Sequence, residues 1–371
     1  MPDPPVAVAP LVRDPMAHAL QLARRSDHRQ SPNPMVGAVL VADGRVVGEG
    51  FHQRAGGPHA EVAALEAAGA RARGAALHVT LEPCAHAGRT GPCVERLIAA
   101  GVGSVHVATL DPNPLVDGRG VAALRAAGIP VTVGAHAAEA RRLIAPFATW
   151  ITTGLPFVTL KFAMTLDGKL ATVDGESRWI TGPDARAAAH ALRHQHDAIL
   201  VGSGTVLADD PLLTTRLPDR PGRQPRRVVA DGRLRVPPTA RALRVDGPPP
   251  VVLTVREAPR DRRAALEAAG VEVLTCAGPE GHPDLRDGLA QLAARGVTSC
   301  LVEGGSTLLG AALVAGLANR VVAFLAPLLV GGATAPDAIG GPGIGPLGAA
   351  VRLREWTVER CGEDLCITGE V

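Results

Sequence analysis

The amino-acid sequence predicts a two-domain α/β protein, and three observations carry that expectation. Runs of β-branched residues alternate with amphipathic stretches along most of the chain, the pattern of sheets covered by helices on both faces. At 371 residues and 46% hydrophobic content there is enough chain for two or three cores. The alternation pauses around "TWITTGLPF", near Gly154, and then restarts, so the expected domains are 1–152 and 153–371.

The first ten residues, "MPDPPVAVAP", are Pro-rich and read as disordered. "DPMAHALQLARRS" reads as a helix, with Asp14 as its cap and Pro15 in the first helical position. "MVGAVLVADGRVVGEGFH" is two β-branched runs around Asp43-Gly44, a hairpin signal. A helix opened by "GPHAE", the strand "ALHVTL", a helix near "TGPCVERLIAAG", the strand "VHVAT", a helix near "GVAALRAAG" and the short strand "IPVTV" follow. In the second half, "PFVTLKFAMTLDGKLA" reads as strand, turn and strand, and "GPDARAAAHALRHQ" as a helix with Pro183 in its first turn. "DAILVG", "RRVVAD", "PPVVLTV", "VEVLT", "TSCLVEGG" and "RVVAFLAPLLVGG" read as strands, and "PRDRRAALEAAG" and "HPDLRDGLAQLAARG" as helices between them. The Arg/Pro-rich stretches near 216–227 and 235–250 read as loops.

Composition narrows the function. Formal net charge is +2, with no basic arm and no basic stripe interleaved with aromatics, which argues against nucleic-acid binding. The start lacks the charge and apolar run of a signal peptide, and no apolar run reaches the ~18–20 residues of a spanning helix. Six cysteines are sparse for this length, so a reducing compartment is expected, the cytoplasm by default, where thiols more often bind metal than pair.

The first candidate site joins "HAE" at His59 to "LEPCAHAGRTGPC", which holds Cys84 and Cys93. One imidazole and two thiolates suit a catalytic zinc that keeps a fourth position for water. Glu61 would take a proton from that water and pass it to a leaving amine. His-x-Glu followed by Pro-Cys and a second Cys is the signature of zinc nucleobase deaminases, in which the Glu is not a ligand. The bland alternative is a solvated helix face and two core cysteines. The loop shaped by Pro83, Gly88, Gly91 and Pro92 favours the metal, although its eight-residue spacer is longer than the usual two. In the second half, "SCLVEGGSTLLGAAL" is a strand, a Gly turn and a helix opened by Ser306-Thr307. Its free amides suit a phosphate, although the dinucleotide fingerprint is absent.

"SPNPMVGAVLV", "GEGFHQRAGGPHAEVAAL", "TLEPCAHAGRTGPC" and "DPNPLVDGRG" resemble the N-terminal half of bifunctional riboflavin-biosynthesis deaminase/reductases. "TLKFAMTLDGKLA", "GESRWITG", "LVGSGTVLADDPLLTTR" and "LVEGGSTLLGAAL" resemble their reductase half. The resemblance implies a cytidine-deaminase-like αβα sandwich followed by a dihydrofolate-reductase-like α/β domain. It implies His59, Cys84 and Cys93 as ligands of one zinc per chain, with Glu61 as proton shuttle. Asn33, His86 and the loop residue Arg89 would contact a phosphoribosylated pyrimidine. For Asn33 a plain turn role between two prolines stays open, and His52 could line the same pocket or cap a strand.

In the reductase half the resemblance implies NADPH held by Ala163, Trp179, Thr205, Asp209 and the turn and helix of Gly305, Ser306, Thr307, Leu308, Leu309, Gly310 and Ala311. Ser177, Arg193, Leu213, Arg216 and Glu303 would face the substrate, whose ribosyl chain is reduced to ribityl. Two arginines suit a phosphate, although Arg193 sits on an Arg/His-rich helix that could be a solvated face. Asp209 could instead cap a turn before Pro211. Lys161 and Glu303, polar groups ending strands, are candidates for controlling proton movement. The chain departs from the family at Ala85 and at Gly232, where Ser is common. A homo-oligomer, dimer or tetramer, is expected, the dimer built through the C-terminal domain. The competing possibilities are a tRNA or nucleobase deaminase with an accessory NADPH-binding domain, and a non-catalytic NADPH sensor.

Overall fold

The structure is a computed structural model that describes residues 11–85, 91–244, 246–279 and 281–371. The segment 1–10, read above as disordered, and the positions His86 and Arg89 lie outside the described residues. The chain divides into two compact units, Met1–Thr153 and Gly154–Val371. Among the described residues no helix is long and apolar enough to cross a membrane.

In the first unit the elements run α1 (Pro15–Arg24), β1 (Gly37–Ala42), β2 (Arg45–Phe51), α2 (Ala60–Ala68), β3 (Ala76–Val79), α3 (Cys93–Ala100), β4 (Ser104–Val107), α4 (Arg119–Ala126), β5 (Val131–Val133), α5 (Ala137–Leu143) and α6 (Ala145–Thr153). Asp14 caps α1 by accepting from the Ala17 amide at 3.0 Å. The β1–β2 hairpin turns on Asp43 and Gly44, both left-handed at φ 50° and 72°, as a two-residue primed turn demands.

Strand order is β2-β1-β3-β4-β5. Leu40, Leu77 and Val105 pack on one face against Ala64, Leu97 and Leu124 of α2, α3 and α4. Val39 packs on the other against Met16 and Leu20 of α1 and Ala140 of α5, giving three layers. Because β1 is antiparallel to both β2 and β3, those two run parallel to each other and to β4. The chain therefore leaves β2, β3 and β4 at one edge of the sheet, which is where His59 and Cys84 fall.

The second unit runs β6 (Phe157–Thr165), α7 (Pro183–Gln195), β7 (Ala198–Gly202), α8 (Ser203–Asp209), β8 (Arg226–Ala230), β9 (Val251–Thr254), α9 (Arg260–Ala268), β10 (Glu272–Thr275), α10 (Leu285–Ala293), β11 (Ser299–Glu303), α11 (Ser306–Val314), β12 (Arg320–Ala326), β13 (Arg354–Cys361) and β14 (Asp364–Glu370). The order is β10-β9-β8-β7-β11-β6-β12-β14-β13. Seven strands are parallel and a C-terminal antiparallel hairpin completes the sheet. Along β6 the side chains alternate: Val158, Leu160 and Phe162 enter the core under α10 and α11, whereas Lys161 lies over the Phe324 ring on the opposite face. Leu160 has no solvent exposure, so Leu160→Ala would cost roughly 2–5 kcal/mol.

Two local expectations differ from the structure. After β6 the chain turns at Gly168 but forms only an isolated bridge, Lys169 to Asp337, instead of a second strand. Both edges of β6 are occupied, by β11 and β12, so a returning strand has no free ladder. The β13–β14 hairpin lies outside the elements expected from sequence: β13 is exposed along nearly its whole length, so the alternation of Trp356 and Val358 marks no buried face.

Candidate active sites

His59 stands just before α2 in extended conformation (φ −69°, ψ 159°), so its ring is released from the helix. Its Nδ1 lies 3.2 Å from Cys93 Sγ and 3.7 Å from Cys84 Sγ. The three ligand atoms are all within 4.8 Å of one another, the one such cluster among the described residues. Zinc bonds of about 2.0–2.3 Å at tetrahedral angles put ligand atoms roughly 3.5–3.8 Å apart, so this donor set fits that ion.

Each ligand is placed by backbone. Cys93 begins α3 and its amide donates to Cys84 Sγ at 3.4 Å, while the Val94 amide donates to the Cys84 carbonyl at 3.3 Å. The Cys84 thiol is held down at about 4, by the Cys93 thiol first and by the His59 ring and Cys93 amide after it. Cys93 is pushed up by its hydrogen bond with Cys84 and by burial.

Glu61, in the first turn of α2, is 4% exposed. Burial raises its carboxyl to about 7, against the opposing pull of its own backbone amide and His59. A carboxyl near neutrality can take a proton and return it.

Asn33 donates through Nδ2 to His52 Nε2 at 3.0 Å, and His52 Nδ1 donates to the Pro58 carbonyl at 2.9 Å, next to His59. The His52 and His59 rings meet edge to face with centroids 5.5 Å apart. His52, left open between two roles above, thus ties Asn33 to the ligand loop. Glu82 carried no sequence signal beyond its place in "LEPC". Its buried carboxylate accepts from the amides of Asp111, Gly118 and Val121 at 3.2, 2.9 and 3.0 Å. It thereby clamps "DPNPLVDGRG" and the start of α4 onto the loop bearing Cys84. A Cβ on Gly120 would meet the Pro83 carbonyl oxygen at 2.0 Å, so only glycine permits that approach.

In the second unit, Glu303 ends β11 opposite Lys161 of β6 in register. Arg193 of α7 grips Glu303 through both carboxylate oxygens, Nε to Oε1 at 3.2 Å and Nη2 to Oε2 at 2.6 Å, and donates through Nη1 to the Thr214 carbonyl at 3.2 Å. Arg193 is therefore not on a solvated face; it sits in an internal pair with Glu303. Burial raises the Glu303 carboxyl, but Arg193 and Lys161 overcome it and hold the group at about 2. Burial, assisted by Arg193 and opposed by Glu303, pushes the Lys161 amine down.

His190, absent from the sequence reading, accepts from the Arg216 amide at 3.3 Å and is lowered to about 4 by burial and by Arg193 and Arg216. Its signal was available: His190 and Arg193 are three apart on α7 and share a face. Leu213 is buried, with φ +54°. Arg216 Nη1 donates to Thr214 Oγ1 at 2.9 Å. Lys161, His190, Arg193, Arg216 and Glu303 thus converge. Ser177 makes no side-chain hydrogen bond among the described residues.

Gly304 and Gly305 both have positive φ, 63° and 77°, which turns the chain sharply from β11 into α11. A Cβ on Gly305 would stand 3.0 Å from Thr205 Oγ1, so Thr205 of α8 lies against this turn. Arg178 donates to the Asp209 carbonyl at 2.8 Å, bringing the Trp179 segment to the end of α8; Trp179 is 69% exposed, under the Arg186 guanidinium. Leu308, Leu309 and Gly310 face inward. The two leucines enter the core and Gly310 abuts the Gly340 carbonyl, so only the first turn of α11, with exposed Thr307, presents free groups. Ala163 lies partly buried on β6 and packs toward Phe324.

The family described as "Cytidine and deoxycytidylate deaminase zinc-binding region" matches residues 12–109, and "RibD C-terminal domain" matches residues 156–367. Riboflavin biosynthesis protein RibD of Aquifex aeolicus is 45% identical over 352 residues, covering 95% of this chain and 96% of that protein. The Escherichia coli protein of the same name is 43% identical, covering 95% and 97%. Among solved structures, Acinetobacter baumannii RibD aligns with a TM-score of 0.86 at 38% identity, covering 96% of this chain and 98% of that one. A diaminohydroxyphosphoribosylaminopyrimidine deaminase/5-amino-6-(5-phosphoribosylamino)uracil reductase of Thermotoga maritima aligns at 0.84 and 36% identity, covering 96% and 97%. These matches support the two-enzyme reading over a base deaminase with an accessory domain.

Proposed function

We infer that this chain, which belongs to the RibD family of bifunctional riboflavin-biosynthesis enzymes with a deaminase and a reductase domain, deaminates a diaminopyrimidinone carrying a phosphoribosylamino group and then reduces the ribosyl chain of the product. The substrate assignment rests on what the Thermotoga relative is said to act on. One observation supports it most: an imidazole and two thiols converge beside a buried carboxyl, with Asn33 held at the same loop.

His59, Cys84 and Cys93 would hold one zinc, which supplies a water acidic near neutrality. Glu61 takes a proton at its carboxylate and delivers it to the departing amine. Asn33, aimed by His52, would orient the ring.

In the second unit NADPH supplies the hydride. The Gly305 turn, Thr205 and the first turn of α11 would bind its phosphates, with Ala163, Trp179 and Asp209 beside them. Lys161, desolvated and paired across the ladder with Glu303, would steady the oxygen set free as the sugar opens. Ser177, Leu213 and Arg216 would border the substrate. His86 and Arg89 are kept from the family resemblance as deaminase substrate contacts.

The test is metal analysis with separate assay of each half-reaction. Wild type should carry about one zinc per chain, and Cys84→Ser should lose both zinc and deamination while still reducing pre-deaminated substrate. Retention of zinc by that variant would overturn the site. We place the enzyme in the cytoplasm, as a dimer through the C-terminal unit, where edge strand β13 exposes Trp356 and Val358. Sedimentation of wild type against Trp356→Glu tests the dimer.

A further inference from the structure

Three successive loop residues after α8 have backbone groups taken by side chains instead of by a sheet ladder. Arg193 Nη1 donates to the Thr214 carbonyl at 3.2 Å. Gln224 accepts from the Thr215 amide at 2.9 Å and donates back to the Thr215 carbonyl at 3.0 Å. His190 Nδ1 accepts from the Arg216 amide at 3.3 Å. Leu213, buried and left-handed at φ +54°, turns the chain into this bracket. Backbone donors and acceptors satisfied in this way hold a loop in one place without making it part of a sheet.

The bracket leaves one guanidinium group uncommitted. Arg193 is paired with Glu303 through both carboxylate oxygens. Arg216 is exposed, donates from Nη1 to Thr214 Oγ1 at 2.9 Å, and has no carboxylate partner among the described residues. A long side chain with many rotamers is aimed only as well as its own backbone is held. The side chain that holds the Arg216 amide is His190, three residues before Arg193 on the same face of α7.

The imidazole suits that task because it is neutral. An accepting Nδ1 leaves the ring proton on Nε2. Burial first, then the Arg193 and Arg216 guanidinium groups, lowers the ring to about 4 against an ordinary 6.5, with Glu303 opposing. A protonated ring would lose the lone pair that accepts and would face two guanidinium groups at once. A ring held neutral this firmly is also a poor proton donor to an opening sugar, which argues against direct acid catalysis.

We propose that His190 is a positioning residue of the reductase: by holding the Arg216 backbone it aims that guanidinium at the phosphorylated substrate, and so sets substrate affinity without touching the reacting carbon. The proposal rests on the reading that Arg216 borders the substrate.

Steady-state reduction of pre-deaminated substrate by the full-length, zinc-loaded protein at saturating NADPH tests it. His190→Ala should raise KM roughly two- to tenfold and leave kcat within about twofold of wild type. His190→Asn places Oδ1 where Nδ1 stood and should restore KM, which a role in packing alone would not do. Arg216→Gln should raise KM by roughly ten- to hundredfold, and adding His190→Ala to it should change nothing more. Undiminished deamination and unchanged denaturant unfolding show that the variants fold. A fall in kcat at constant KM, no rescue by Asn, or full additivity of the two substitutions overturns the positioning role and leaves Arg216 as a contact. Wild-type KM in Arg216→Gln overturns the substrate reading of Arg216, and this proposal with it.

Discussion

In the N-terminal unit the reactive groups come from nearby chain, His59 and Cys93 being 34 residues apart, and they leave two sulfurs, an imidazole and a near-neutral carboxyl crowded together. In the C-terminal unit Arg193 and Glu303 are 110 residues apart and already satisfy one another, with Lys161 beside them. The first cluster brings together electron-rich donors with no cationic side chain among them, a set that a metal cation would complete. The second already satisfies itself, so its members hold the fold as well as forming the candidate site. Removing a group should therefore cost chemistry in the first unit and stability in the second.

The largest effect expected beyond ligand loss is at Glu61. Glu61→Gln should lower deamination by on the order of 10²–10⁴-fold, with zinc content and reduction unchanged; loss of zinc in that variant would blur the contrast by making Glu61 structural. Next is Glu303→Gln, which strands the buried Arg193 guanidinium. It should destabilise the C-terminal unit by roughly 3–5 kcal/mol, seen in denaturant unfolding, while zinc stays bound in the N-terminal unit. A stable but inactive variant would show that the pair serves chemistry alone.

Acid should separate the units by cause. His196 is buried and neutral, donating to the Leu192 carbonyl and accepting from Thr159, and burial holds it at about 4 against an ordinary 6.5. An unfolded chain takes up that proton as pH falls through 6.5 and the folded one does not until about 4, so stability is full above the first value and declines toward the second. About 2 kcal/mol should be lost through His196 from about pH 7.5 to about pH 5, and His196→Gln should remove that share while the loss from His190, likewise lowered to about 4, remains. Glu303, depressed to about 2, adds a loss at lower pH: its contribution is full above its ordinary 4.5 and fades below. In the N-terminal unit acid instead protonates the ligands and releases metal, readable with a zinc indicator. The smallest effect is at Ala85, which packs at the margin of the core. Ala85→Ser should change stability and deamination by less than about 1 kcal/mol, measured as kcat/KM.

Legibility followed the same divide. The candidate metal ligands were readable because a loop and two helix starts place them within a short stretch whose residue types have few other uses together. The partners His52 and Glu82 were not, since a histidine in a Gly-rich loop and a glutamate before Pro-Cys carry no distinctive spacing. In the C-terminal unit Glu303 could be named from resemblance and Lys161 as a polar group ending a strand, but their register across parallel strands depends on which strands become neighbours. Arg193 illustrates the cost: on its helix it looks solvated, and only the sheet reveals the carboxylate opposite.

Local chemistry in the sequence determined the alternation of strands and helices, the Asp43-Gly44 hairpin, the cap at Asp14 and the zinc-type donor set. Those depend on residues close in the chain, where spacing is geometry. Tertiary structure alone decided the missing strand after β6, the inward burial of Leu308 and Leu309 and the Arg193–Glu303 pair, because strand order and helix docking bring together groups that no local pattern relates.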